Sequence, residues 1–281
     1  MQDLTSIYPK KFIDQMGNEI VLKEKPRRII SLVPSQTELL HYLGLENEVI
    51  GITKFCIHPE NWFKTKTRIG GTKTINIEKI KQLKPDLIIG NKEENVQSQI
   101  EELQKYFPVW MSDIYSLQDA YRMIECVGNI ANTTKEANEL VNAIQQGFDS
   151  IKNKVASQNK LVYLIWNNPL IAVGSNTFIN YILNQIGFEN AMKENRYPAL
   201  TSEYLKTLNP HFIFLSSEPF PFKEKHIKEL QKNLPRAKIL LVDGEMFSWY
   251  GSRLLHAPKY FIELLRLLQP LNNLPLQINI L

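Results

Sequence analysis

Arg28-Ile-Ile-Ser-Leu-Val-Pro-Ser-Gln-Thr-Glu38 decides how this chain folds. Arg28–Val33 is an almost unbroken apolar run, the composition of a strand covered on both faces of a parallel sheet. Pro34 breaks that run, Ser35 or Thr37 is placed to cap a helix, and Gly44 ends the helix just after Leu43. A buried strand turning directly into a helix is the opening unit of an α/β lobe. Upstream, Phe12–Leu22 reads as a hairpin around Met16-Gly17-Asn18. Downstream the alternation continues. Val49–Thr53, Asp86–Gly90 and Pro108–Met111 read as strands, and Asn76–Leu83, Ser98–Tyr106 and Ser116–Ile130 as helices between and after them.

A polar-faced helix follows, about Thr134 to Ala156, with Ala137, Leu140, Val141, Ile144, Phe148, Ile151 and Val155 spaced by threes and fours. It would run on the order of 33 Å at the helical rise, more than a small lobe needs. Beyond it the pattern of the first half returns. Leu161–Ile165 reads as a strand and Thr177–Gln185 as a helix, and Gly187-Phe-Glu-Asn190 echoes Gly44-Leu-Glu-Asn47. Asn76-Ile-Glu78…Leu83-Lys-Pro85-Asp-Leu-Ile-Ile89 is matched by Thr201-Ser-Glu203…Leu208-Asn-Pro210-His-Phe-Ile-Phe214. The expected architecture is α/β, with two Rossmann-like lobes of mostly parallel sheet on either side of one long rigid helix. The lobes take residues 1–133 and 158–281, and the helix 134–157.

Composition narrows the function. With 43% hydrophobic and 22% charged residues the chain is ordinary globular material, not a disordered or fibrous one. Thirty-three basic against 29 acidic residues give +4, too slight an excess for a nucleic-acid surface. Apolar runs such as Ile239–Val242 stop far short of the ~20 residues of a membrane span. The opening Met1–Pro9 lacks a charged stretch followed by an apolar one, so either a leader was trimmed or the protein stays in the cytoplasm. Cys56 and Cys126 show no metal or redox spacing. Cys56-x-His58 offers two good metal-ligand types on one loop, short of the three or four that a closed site needs. There is no GxSxG and no P-loop, Gly70-Gly71 is not GxGxxG, and no acid is spaced to serve Ser248 and His256. No catalytic residue, protein-held metal or intrinsic cofactor is expected, and a monomer is.

Arg28–Glu38 with Gly44, the Gly70-Gly71…Asn76-Ile-Glu-Lys-Ile80 stretch and Leu83-Lys-Pro-Asp-Leu-Ile-Ile89 together resemble the class III substrate-binding proteins of ABC importers. These helical-backbone metal receptors serve the uptake of cobalamin, iron–siderophores and haem, and the resemblance runs from about Tyr8 to Leu268. It implies a metal-chelate ligand held in a cleft between two lobes, an ABC permease as partner, and a periplasmic or cell-surface location. The cobalamin branch looks nearest, because Tyr197-Pro198 precedes the second glutamate helix and Phe247-Ser-Trp-Tyr-Gly-Ser-Arg253 precedes the last helix. The loop Arg68–Lys73 has no tryptophan where cobalamin receptors present one; an iron–siderophore or haem receptor of the same fold stands as the alternative, and the opening without a leader pattern adds a cytoplasmic metallocofactor-binding protein. The resemblance also implies one glutamate per lobe that pairs with permease arginines, at Glu78 and Glu203. Carboxylates in the first turn of two helices would form a two-point electrostatic dock.

Ligands in open α/β sheets sit at the carboxyl ends of the strands. The loops there nominate Ser35 and Gln36; Phe55, Cys56 and His58; Lys92 and Glu93 within Asn91–Glu94; Trp166 and Asn167; Tyr197; and Trp249, Tyr250 and Arg253. Aromatic faces suit a broad planar ligand, and Arg253 suits a carboxylate, phosphate or amide edge.

Overall fold

A computed structural model describes residues 8–152 and 159–268. The hairpin is β1 (Lys10–Ile13) and β2 (Glu19–Leu22), with Gly17 at φ 83° in its turn. The first lobe then alternates: β3 (Ile29–Ser31), α1 (Pro34–Tyr42), β4 (Val49–Ile52), α2 (Glu60–Thr65), β5 (Thr67–Arg68), α3 (Ile77–Leu83), β6 (Leu87–Asn91), α4 (Gln97–Gln104), β7 (Val109–Ser112) and α5 (Leu117–Ala131). Its five strands are all parallel, in the order β5-β4-β3-β6-β7. The order reverses between β3 and β6, which opens a crevice at their carboxyl ends.

Helix α1 starts one step earlier than its polar residues suggest. Val33 takes the cap position without a side-chain cap, and Pro34, whose missing N–H costs nothing at a helix start, begins the helix. Ser35 and Thr37 lie inside it, and the Thr37 hydroxyl donates back to the Val33 carbonyl at 2.9 Å.

Helix α6 (Thr134–Lys152) follows α5 after a left-handed Asn132; the expected continuation over 153–157 lies outside the described residues. Ala137, Leu140, Val141, Ile144, Phe148 and Ile151 are all buried, so its apolar stripe is fully used. It packs on α5 of the first lobe and on elements of the second. Gly147 makes room there, since a Cβ would come within 2.8 Å of Pro258.

The second lobe contains β8 (Asn159–Trp166), β9 (Leu170–Ala172), α7 (Phe178–Gln185), β10 (Phe188–Asn190), β11 (Ala199–Leu200), α8 (Ser202–Leu208), β12 (Phe212–Ser216), α9 (Glu224–Asn233), β13 (Lys238–Val242) and α10 (Gly244–Ser248). A 3-10 turn, Ser252–Leu255, leads into α11 (Ala257–Leu268). Strands β10, β8, β12 and β13 are parallel, while β9 and β11 fold back antiparallel at one edge.

The internal echo is structural. Asn76 caps α3 by accepting from Lys79 N, and Thr201 caps α8 by accepting from Tyr204 N. Both helices span seven residues and end on a left-handed residue, Lys84 at φ 46° and Asn209 at φ 45°. Each then passes through proline into a fully buried strand, β6 or β12.

Candidate functional site

The loop after β6 is shaped by its own asparagines. Asn91 Oδ1 accepts from Glu93 N at 2.8 Å and Glu94 N at 3.1 Å, and Asn95 Oδ1 accepts from Asn91 N at 2.9 Å. A side chain at Gly90 would meet Asn95 Oδ1 at 2.8 Å, so glycine lets this turn close. The facing wall comes from two segments twenty residues apart. Gly174 N donates to Arg196 O at 2.7 Å, Arg196 N donates to Ser175 O at 2.8 Å, and Ser175 bridges Asn195. A Cβ on Gly174 would lie 2.0 Å from the Glu194 carbonyl, so only glycine permits this contact.

Between these walls lies a cleft of about 970 Å³, lined by Lys73, Lys92, Glu93, Glu94, Asn95 and Tyr115 on one side and Asn176, Asn195, Arg196 and Tyr197 on the other. Arg196 Nη2 reaches across to Glu93 Oε1 at 3.3 Å. Its guanidinium lies 5.6 Å from the Tyr115 ring centroid and 5.7 Å from that of Tyr197, and Nη1 donates to the Asn176 carbonyl at 2.9 Å. Lys73 donates to the Glu93 carbonyl, and Lys92 pairs with Asp113 at 2.7 Å, a hydrogen bond that raises the lysine's pKa. Burial pushes the Glu94 carboxyl up; Lys73 opposes this, while Glu93 and Glu218 add to it. Burial also raises the Tyr197 phenol, with the neighbouring Glu93 adding to the effect.

The lobes also meet beside the cleft, in a closed seam. Arg253 clamps Glu38 of α1 through Nε (3.1 Å) and Nη2 (2.7 Å), holds Glu245 at 3.2 Å, and lies 5.0 Å from the Trp249 ring centroid. His58 meets Glu245 at 3.5 Å and the edge of Trp249 at 5.8 Å. Trp249 Nε1 and Ser248 Oγ both donate to Glu218 Oε1 at 2.9 Å; burial raises that carboxyl although these bonds lower it. Gly251, at φ 131°, lies where a Cβ would come 3.2 Å from the Ser35 carbonyl.

Of the residues nominated from sequence, Lys92, Glu93 and Tyr197 come together in the cleft lining. Trp249 and Tyr250 are 6% and 7% exposed and, with Arg253 and His58, belong to the seam. Ser35 is buried, with its carbonyl against Gly251 of the Trp249–Tyr250 turn. Gln36 is buried beneath the crevice, donating to Ser112 Oγ at 2.6 Å. Cys56 and His58 diverge: the Cys56 thiol is fully buried against Thr37 and Thr53, and burial raises its pKa. Phe55 is exposed beside Gly71. Trp166 packs on Phe220, while Asn167 lines a separate 360 Å³ hollow with His226 and Glu229. Tyr115, Asn176, Asn195 and Arg196 belong to no motif, and Lys73 and Asn95 end the loops 68–73 and 91–95 without standing out in them; asparagine tolerates the positive φ of Asn176 (55°), but arginine's ordinary preferences give no sign of that of Arg196 (64°).

Glu78 and Glu203 are exposed at matching second positions of α3 and α8, and Glu78 pairs with Lys81 at 3.2 Å. Among the described residues no group of three or more His, Cys, Asp or Glu could hold a metal ion, and no helix is long and apolar enough to cross a membrane.

Comparison with known proteins matches residues 29–238 to a family described as periplasmic binding protein. An uncharacterized ABC transporter substrate-binding lipoprotein of Bacillus subtilis is 27% identical over 221 residues, 74% of this chain and 69% of its own length. A vitamin B12-binding protein of Pectobacterium carotovorum is 24% identical over 252 residues, 87% of this chain and 90% of its own. The structure of a siderophore-binding protein holding two acinetobactin molecules and ferric iron superposes with a TM-score of 0.75, at 18% identity, covering 90% of this chain and 97% of that one.

Proposed function

The chain belongs to the periplasmic binding protein family, and from that premise we propose that it captures a metal chelate, a cobalamin or related corrinoid first, and delivers it to an ABC permease. The family is one of transport substrate-binding proteins, not of enzymes. The observation that carries the reading is the 970 Å³ cleft walled by both lobes and spanned by Glu93 and Arg196. That volume is at the upper end of small-molecule sites, which reach about 1,000 Å³. The lining is lysine, arginine, glutamate, asparagine and tyrosine, so the metal arrives with its own chelator in place of imidazole or thiolate from the protein. Asn95, Asn176 and Asn195 suit the amide-rich rim of a corrinoid, and Tyr115 and Tyr197 offer flat apolar faces.

The three basic groups of the cleft, Lys73, Lys92 and Arg196, favour an anionic iron chelate as the second reading. The permease would dock on the paired Glu78 and Glu203, and the names of the relatives support an extracytoplasmic location. Tryptophan quenching and calorimetry against cobalamin, haem and ferric siderophores test the ligand. Saturable one-to-one binding of a corrinoid is the expected result, and binding of none of the three classes defeats the reading.

A further inference from the structure

Among the described residues, two arginine–glutamate pairs cross between the lobes, and they are built differently. Arg253 and Glu38 meet through two hydrogen bonds, 2.7 and 3.1 Å, with side chains only 15% and 21% exposed. This is the bidentate fork geometry that makes an arginine–carboxylate pair strong, in a more sheltered place. Arg196 and Glu93 meet through one contact of 3.3 Å, with side chains 34% and 30% exposed, inside the cleft. A half-wet, single-point ion pair is worth little on its own. Yet its arginine is firmly positioned. Backbone bonds to Gly174 and Ser175 fix residue 196, Nη1 is tied to the Asn176 carbonyl, and the Tyr115 and Tyr197 rings flank the guanidinium.

We propose that Arg196 selects the ligand by binding an oxyanion on its rim, a phosphate or carboxylate, and that Glu93 is the group this oxyanion displaces. The inference rests on the cleft being the ligand site and adds what is read there. A planar guanidinium matches two oxygens of one oxyanion, a fit that a single Glu93 oxygen does not use. The cleft carries Lys73, Lys92 and Arg196 against Glu93 and Glu94, with Lys92 paired to Asp113, so Glu93 is the carboxylate whose withdrawal leaves the guanidinium open to an added negative charge.

The test compares ligand pairs that differ in that group, with wild type, Arg196→Gln, Arg196→Lys and Glu93→Gln. The pairs are cobalamin and cobinamide, which lacks the nucleotide tail with its phosphodiester; haem and its dimethyl ester; and an anionic and a neutral ferric siderophore. Within whichever pair the wild type binds, Arg196→Gln should lose tenfold or more for the anionic member, about 1.4 kcal/mol, and little for the other. Arg196→Lys should recover part of the difference. Glu93→Gln should bind the anionic member as tightly or more tightly, because the competing charge is gone. Equal losses for both members, or weaker anionic binding by Glu93→Gln, overturn the role of Arg196 while leaving the cleft as the site. A wild type that binds no pair overturns the ligand reading itself, and this inference with it.

Discussion

Glu94 sits where a carboxylate is costly, under the cleft with Glu93 and Glu218 close by and only Lys73 in opposition. Its folded-state pKa is raised, so the folded protein holds this proton more readily than the unfolded chain does. Stability from this group is therefore greatest below the ordinary carboxylate range and falls as pH climbs from that range to the raised value. Glu94→Gln should raise the melting temperature at pH 7 by ~2–4 °C, the shift that about 1 kcal/mol brings in a domain of this size. It should also flatten that fall in stability with rising pH; thermal melts from pH 4 to 8 would read both, and a lower melting point at pH 7 would contradict the assignment. Trp249 tests the opposite case. Its ring is buried between Arg253 and His58 and its Nε1 is bonded to Glu218, so Trp249→Ala should cost about 3–5 kcal/mol of stability in a denaturant titration. A fully stable variant would show that the seam does not depend on this ring. The Trp-Tyr turn was visible in the sequence as a strand-end feature, but its direction was not. That direction follows the Arg253–Glu38 clamp and the close approach of Gly251 to the Ser35 carbonyl, more than two hundred positions away, and no local pattern encodes such partners. Lys92, Glu93 and Tyr197 were legible because they follow a strand or precede a helix with a clear signature; Arg196 was hidden because its place depends on a bridge between Ser175 and Asn195.

At the scale of elements, periodicity carried most of the information. The buried stripe of α6, the all-buried strands β6 and β12 and the repeated α3–β6 and α8–β12 units follow from spacing, a cap and a proline. Not expected from the sequence were the ten-residue α9 and a set of elements of six residues or fewer: α2, α10, the 3-10 turn, β5, β10 and the edge strands β11 and β9 that fold back antiparallel. Segments of that length complete too little of a period to register, and edge pairing is decided by tertiary contact. Where helices cross, glycine sets the spacing. A Cβ at Gly128 in α5 would lie 2.3 Å from the Cβ of Ala137 in α6, on the junction that ties the first lobe to the long helix. Glycine-to-alanine in a helix normally gains ~1 kcal/mol. Here overpacking, typically ~1–3 kcal/mol, should win. Gly128→Ala is therefore expected to lower stability by about 1 kcal/mol or more in urea unfolding, and a gain would mean that the α5–α6 contact yields easily.

For the whole molecule, the two lobes meet through a bidentate clamp at the seam and through a long helix, while the cleft is crossed by a single, more exposed ion pair. A body braced in this way is expected to change shape little on loading, in which case a permease would recognise it through surface features that both lobes already present. Glu78 and Glu203 meet that requirement. They are exposed at the same position of two helices that share cap, length and left-handed end, and neither lines the ligand cleft. Their charges add to first turns where the helix dipole favours an anion. Glu78→Ala and Glu203→Ala should each leave ligand affinity within about twofold and weaken permease binding by roughly tenfold, the loss expected when one charge of a pair that sheds water on docking is removed. If both lobes dock together, the double variant should lose more than either single one. Pull-down and transport assays with the cognate permease in liposomes would measure this, alongside ligand titration of the same proteins. Docking of the double variant at wild-type strength would remove both glutamates from the interface, and a matching loss of ligand affinity would move them from the permease face to the binding site.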